Sequence, residues 1–156
     1  MIHYEYDDGG RSAVGYKSRV KNAEDCVVRS ITIALGLPYE QVFRELMYLG
    51  LEKGLYPNAR SVFETYSKSK GWVKHKCPRT VYGDLIKLQD WDDAPDRAVI
   101  TNSRHLTAVV DGVCRDTWDC TYRPVNTYWK RPPGRLQESH PTCTEDDRVT
   151  HTGETS

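Results

Sequence analysis

The sequence predicts an α+β domain in which N-terminal helices pack on a small antiparallel β-sheet. Apolar residues recur at helical spacing in its first half, and short β-branched segments follow in its second half. Its 156 residues are the normal size of one domain with tails. We divide the chain into a polar N-terminal segment (1–17) without regular structure, a folded domain (18–130), and a disordered polar tail (131–156).

Helical periodicity and end signals place the predicted helices. The first begins near Asn22 and Asp25, which are typical capping residues, and it ends at Gly36. The second is opened by Pro38, after which apolar residues recur at i, i+3, i+4 and i+7. The helices are predicted over residues 25–35, from Pro38 onward, over 58–69, and from Thr80 to about Gln89.

Three short segments rich in β-branched residues predict a meander of strands, and a fourth predicts an edge strand. Asp111-Gly112 between two of them is a strong signal for a two-residue hairpin turn. That turn pairs Val110 with Val113, and the register then brings His105, Asp116 and Trp118 to one face. The segments are RAVIT (97–101), HLTAVV (105–110), VCRDTW (113–118) and VNTYW (125–129).

Composition excludes several classes of function. The 22 basic and 22 acidic residues balance, and no long run of like charge predicts a nucleic-acid-binding arm. No segment is long and apolar enough to span a bilayer, and the first residues do not form a secretion signal. We therefore expect a soluble cytoplasmic protein that binds neither nucleic acid nor membrane.

Cys26 stands out because it lies at the start of a predicted helix but off its apolar stripe. In the first helical turn, free backbone N–H groups and the helix dipole favour a thiolate over a thiol. The five cysteines are odd in number and contain no CxxC pair, which indicates reduced thiols. A small buried residue remains the alternative interpretation of Cys26.

A base for such a thiol is available on the predicted hairpin. His105 opens one strand, and Asp116 lies diagonal to it on the next, where a carboxylate can fix the tautomer of the imidazole. Asp119 is the alternative acid, because a one-residue slip or a bulge would exchange the two carboxylates. The pattern predicts a triad of Cys26, His105 and Asp116.

These motifs resemble the papain-like cysteine peptidase superfamily in its broad sense, which includes bacteriocin-processing peptidases and ovarian-tumour-type deubiquitinases. DCVVRSI resembles its cysteine helix, HLTAVVDG its histidine strand and DTW its Asn-Ser-Trp segment. The DCVVR…H…VVDG…DTWD pattern is also similar to that of uncharacterised phage and bacterial proteins. The resemblance implies the papain-like fold and gives Trp118 the role of shielding the hydrogen bond between His105 and Asp116 from water.

One position departs from the papain pattern. The glutamine that donates to the oxyanion six residues before the cysteine is here Val20, and Asn22 is the candidate substitute. The resemblance implies a cysteine-dependent hydrolase or acyltransferase that cleaves a peptide or isopeptide bond in a protein or peptide substrate. The alternative is a non-catalytic binding module or phage-type inhibitor with the same fold.

No cofactor and no metal ion are predicted. The residues considered as metal ligands are widely spaced or lie in the polar tail, and they do not form a tetrahedral zinc pattern. They are His75, Cys77, Cys114, Cys120, His140 and Cys143.

Overall fold

The computed structural model describes residues 1–14, 24–77 and 79–132. Within these residues the chain forms three α-helices and one six-stranded mixed sheet, so the predicted mixed α+β class is confirmed. The helices are α1 (Cys26–Leu35), α2 (Tyr39–Lys53) and α3 (Arg60–Ser69), and two short 3₁₀ turns cover Ser12–Val14 and Leu88–Asp90.

Local sequence signals explain where the first two helices meet. Gly36 adopts a left-handed conformation with φ of 67°, and its N–H donates to the carbonyl of Thr32, which ends α1. Pro38 then occupies the N-cap position of α2 with an extended backbone. Gly36 and Pro38 therefore mark the end of α1 and the start of α2, as the sequence predicted.

The strands lie in the order β1-β5-β4-β3-β6-β2 across the sheet. Every pairing is antiparallel except that of β1 with β5, which is parallel. The strands are β1 (His3–Tyr6), β2 (Val73–Lys76), β3 (Arg97–Asn102), β4 (His105–Val110), β5 (Val113–Asp116) and β6 (Thr127–Lys130).

The predicted hairpin register is confirmed. Val110 pairs with Val113, and both residues of the turn have positive φ, at 54° for Asp111 and 76° for Gly112, as a type I′ turn requires. When this register is followed away from the turn, the first residue of β4, His105, comes to lie near the last residue of β5, Asp116. The turn thus sets the position of two candidate site residues.

The core has two layers, one on each face of the sheet. On β3, Val99 packs in the layer with the helices, whereas Ala98 and Ile100 pack in the layer on the opposite face. α1 is buried around most of its circumference and not only along the predicted stripe, because Arg29, Ser30 and Thr32 are also buried. The helix that carries Cys26 is therefore a central element of the domain.

Four predictions about the fold are wrong in detail. The polar segment 1–17 was expected to lack regular structure, yet its first residues form β1, because Ile2 is buried and the strand pairs with β5. This parallel pairing makes the sheet mixed and not purely antiparallel. The segment from Thr80 to Gln89 is not a helix, because Gly83 with φ of 85° closes a turn and Asp84 donates to Thr80.

The fourth correction concerns β6. It was predicted as an edge strand, but it lies between β3 and β2. Trp129 on this strand is fully buried, and burial of its large apolar side chain favours an interior position for β6. Of the predicted polar tail, only Arg131 and Pro132 are among the described residues. No helix in the described parts of the chain combines the length and apolarity that crossing a membrane requires.

Candidate active site

Cys26 is the first residue of α1, and its side chain is half-buried against the helical layer of the core. At this position its backbone N–H lies in the first helical turn, where N–H groups have no partner within the helix. The preceding residue, Asp25, occupies the N-cap position, but its side chain makes no capping hydrogen bond. The predicted capping role of Asp25 is therefore wrong.

His105 begins β4 and contacts residues on both sides of its ring. Its Nε2 lies 2.6 Å from Asp116 Oδ2, and its ring also interacts with Cys26, whose pKa it lowers. Because Nε2 is engaged by the carboxylate, Nδ1 is the ring nitrogen left for Cys26. Burial lowers the pKa of His105, but the hydrogen bonds to Asp116, Cys120 and Cys26 outweigh it and raise that pKa to about 11.

The thiol of Cys26 is shifted in the opposite direction. Burial raises its pKa, but the hydrogen bond with His105 and one from the backbone of Leu106 lower it. The positive charges of His105 and Arg29 act in the same direction, and the pKa of Cys26 falls below its ordinary value. The lowered thiol pKa and the raised imidazole pKa together favour a thiolate–imidazolium pair.

Asp116 is almost completely buried, and both of its carboxylate oxygens are engaged. Oδ2 faces His105, whereas Oδ1 accepts hydrogen bonds from Arg29 Nη2 at 3.0 Å and from the Thr117 backbone N–H at 2.7 Å. Burial raises the pKa of Asp116, but the hydrogen bond and charge of His105 and the charge of Arg29 lower it. Asp116 is thus held as a carboxylate beside the imidazole.

Trp118 packs on the His105 ring, with ring centroids 5.0 Å apart and planes inclined at 48°. The guanidinium of Arg123 lies over the indole, 4.8 Å from its centroid, and Tyr122 packs at its edge. The indole therefore covers one side of the imidazole.

The alternative acid, Asp119, is exposed and is not part of this cluster. Its Oδ1 accepts hydrogen bonds from the hydroxyl and the backbone N–H of Thr121, which close a local turn. The confirmed hairpin register explains why Asp116 and not Asp119 reaches His105. The candidate oxyanion donor Asn22, like Val20, lies outside the described residues.

A buried ion network behind the site was missed from the sequence. Arg29 is buried, and its two terminal nitrogens bridge Asp25 and Asp116. Asp25 also accepts hydrogen bonds from Arg11 Nη1 at 3.2 Å and from the Tyr39 hydroxyl at 2.9 Å. The i, i+4 spacing of Asp25 and Arg29 is a sequence signal that could have revealed the first of these pairs.

Cys120 is a second thiol beside the imidazole. It is fully buried, its sulfur lies 3.8 Å from that of Cys114, and it donates to Asp116 Oδ2 at 3.8 Å. The hydrogen bond with Cys114 is the largest influence on the pKa of Cys120, and together with His105 it outweighs burial and lowers that pKa.

The atoms of His105, Asp116 and Cys120 lie within 4.8 Å of one another and could hold a metal ion. The geometry fits a hydrogen-bonded cluster better, because the 2.6 Å between Nε2 and Oδ2 is shorter than the roughly 3.2 Å that separates two ligands of one tetrahedral zinc ion. Arg29 also places a positive charge on the second oxygen of Asp116. The absence of a metal from the site stays a prediction.

Comparison with known proteins identifies no relative of this chain. The chain matches no protein-family profile, no curated protein and no solved structure at a significant level. The geometry of the site is therefore the basis for a functional proposal.

Proposed function

We propose that this protein is a cysteine-dependent hydrolase that cleaves a peptide or isopeptide bond through Cys26, His105 and Asp116. The observation that carries the proposal is the position of the His105 imidazole, which hydrogen-bonds to the Asp116 carboxylate at 2.6 Å and interacts with Cys26 closely enough to lower the pKa of its thiol. A thiol, a base and an orienting acid in contact are the requirements of nucleophilic acyl transfer. The helix start and the adjoining strands that carry them support the papain-like fold as part of this proposal.

The reaction follows from the protonation states that the site favours. The Cys26 thiolate attacks the carbonyl carbon of the substrate, and the carbonyl electron pair moves onto oxygen to form a tetrahedral oxyanion. Collapse of this intermediate breaks the C–N bond, and the imidazolium of His105 gives its proton to the leaving amine. A thioester remains on Cys26.

Hydrolysis of the thioester returns the enzyme to its first state. Neutral His105 takes a proton from water and becomes imidazolium again, while the resulting hydroxide attacks the thioester carbonyl carbon. Collapse of this second tetrahedral intermediate breaks the C–S bond, which releases the carboxylic acid and leaves the Cys26 thiolate. An amine in place of water would give acyl transfer. In this proposal the backbone N–H of Cys26 donates to the oxyanion, and Asn22 is the candidate for the second donor.

Mapped alkylation by iodoacetamide tests the nucleophile without knowledge of the substrate. At pH 6 we expect Cys26 to react about tenfold or more faster than the buried thiols of Cys77, Cys114 and Cys120, and faster than Cys143. His105→Ala should remove this advantage. His75→Ala is the matched control, because His75 lies on β2 and stacks on Tyr128. Equal slow labelling of all five thiols would contradict the proposal.

A Cys26→Ser variant separates catalysis from binding. Cleavage of a panel of peptide and isopeptide substrates should disappear in this variant while the fold is retained. If wild-type protein and Cys26→Ser perform equally in every functional assay, the hydrolase proposal fails and a non-catalytic binding module with this fold takes its place. Cytoplasmic location remains a prediction, to be checked by fractionation of cells that produce the protein.

A further inference from the structure

We propose that Arg29 is a positioning residue of the site, which locks the carboxylate of Asp116 against His105 and supplies positive charge to the thiolate of Cys26. This inference rests on the proposed function, for which it names an additional residue. Arg29 lies one helical turn after Cys26 on α1, so the same helix carries the nucleophile and the group that fixes the acid.

The contacts of Arg29 explain how it would position the acid. Its side chain is 7% exposed, and Nη2 donates to Asp116 Oδ1 at 3.0 Å while His105 faces Oδ2. A carboxylate held at both oxygens cannot rotate away from the imidazole without breaking a buried charge-assisted hydrogen bond. Lysine would offer a single nitrogen, whereas the guanidinium reaches Asp25 and Asp116 together.

Charge balance gives Arg29 a second role. The buried groups behind the site are two arginines, Arg11 and Arg29, and two carboxylates, Asp25 and Asp116, so their formal charges sum to zero. The thiolate of Cys26 and the imidazolium also sum to zero. Among these six groups the ion pair can therefore form without adding net charge to the buried network, which would be costly in the interior.

Other polar groups face the same atoms. Asp116 is also approached by the thiol of Cys120, the hydroxyl of Thr107 and the backbone N–H of Thr117. Its negative charge also contributes to the raised pKa of Tyr4 on β1, although burial is the larger cause. Arg29 is the cation that contacts the side of Asp116 opposite His105, so its removal leaves the carboxylate with imidazolium as its counter-ion.

The test is the pH profile of Cys26 alkylation in wild type, Arg29→Met and Arg29→Lys. Methionine keeps an unbranched side chain without charge, and lysine keeps the charge without the fork. For Arg29→Met we expect the pH of half-maximal reactivity to rise and the rate at pH 6 to fall about threefold to tenfold. Arg29→Lys should lie between Arg29→Met and wild type. Arg44→Met is the matched control, because Arg44 is an exposed arginine on α2 that pairs with Glu40.

A variant in which the pH of half-maximal reactivity should shift in the opposite direction distinguishes the charge of Arg29 from a loss of folding. Asp25→Asn removes the counter-ion of Arg29, which leaves more positive charge to stabilise the thiolate, so the pH of half-maximal reactivity should fall. Loss of folding would not move two profiles in opposite directions. This variant and Arg29→Lys also keep the inference testable if Arg29→Met does not fold.

The outcomes distinguish this inference from the proposed function. Selective labelling of Cys26 over the other thiols in wild type tests the function. The shift between variants tests Arg29, and it requires only that Cys26 can be alkylated. A profile of Arg29→Met that superimposes on those of wild type and Arg44→Met would overturn the inference, as would a profile of Asp25→Asn that moves upward in pH.

Discussion

His105 Nε2 and Asp116 Oδ2 lie 2.6 Å apart, although the two residues are on different strands. The tight turn at Asp111-Gly112 sets this distance, because it fixes the register of β4 against β5. Arg29 holds the other oxygen of Asp116 and Trp118 covers the imidazole ring. The pair is thus buried and constrained, so changes to its charge should have measurable consequences.

Replacement of Asp116 by asparagine should lower the pKa of His105. The amide keeps the size of the side chain but loses the negative charge, and an opposite charge at this distance typically shifts a pKa by about one to three units. NMR titration of the His105 ring should therefore give a midpoint at least about one unit below that of wild type. Asp119→Asn is the control and should leave the titration unchanged, because Asp119 bonds to Thr121. Equal effects of the two variants would contradict the assignment of Asp116 as the acid.

The same pair predicts how stability depends on pH. The folded-state pKa of His105, at about 11, lies above its ordinary 6.5, so its contribution is complete below pH 6.5 and is lost as pH rises toward 11. The pKa of Asp116 is lowered from 3.8, so its contribution is complete above pH 3.8 and is lost as pH falls through the lowered value. The difference in free energy of unfolding between wild type and Asp116→Asn should therefore be largest between about pH 4 and 6.5.

Urea unfolding of the two proteins across this range measures that dependence. A difference that increases steadily above about pH 7 would contradict the predicted sign, because the stabilising contribution of His105 must decline there. Asp119→Asn again serves as the control, since its exposed carboxylate is not paired with the imidazole.

Removal of the indole of Trp118 should lower the reactivity of Cys26 without changing any charge in the site. Trp118→Ala admits water to the hydrogen bond between His105 and Asp116, where a higher local dielectric weakens it. We expect the rate of Cys26 alkylation at pH 6 to fall about threefold, and Trp118→Phe to retain most of the rate. Tyr122→Ala removes only the exposed neighbour of the indole and should have no effect. Identical rates in wild type and Trp118→Ala would exclude the shielding role.

Gly50→Ala should destabilise the protein although alanine favours helices. A Cβ at this position of α2 would lie 2.6 Å from the carbonyl oxygen of Leu55, which is backbone and cannot easily move. We expect a loss of about 1–3 kcal/mol in the free energy of unfolding, typical of overpacking. Glu52→Ala on the exposed face of the same helix should change it by less than about 0.5 kcal/mol. Chemical denaturation distinguishes the two results, and a stabilised Gly50→Ala would contradict the close approach.

Local signals in the sequence were sufficient for several elements. Gly36, Pro38 and the Asp111-Gly112 turn each restrict the backbone by themselves, so the end of α1, the start of α2 and the β4–β5 register were predicted correctly. Strand β1 and the interior position of β6 were not predicted, because strand pairing is a long-range interaction that leaves little trace in a four-residue segment.

The sequence by itself predicted Cys26, His105 and Asp116 as a triad, with Asp119 as the alternative acid, because helix start, strand period and turn type are short-range properties. The tertiary structure decided that Asp116 is the carboxylate that faces His105. Only the tertiary structure decided that Arg29 is buried between two carboxylates and that Arg11, from the polar N-terminal segment, completes the charge balance. Cys120 also joined the site only through the fold. The physical reason is that burial and ion pairing depend on which distant segments pack together. The identity of a polar residue does not reveal whether its side chain will pair with a buried group or with water.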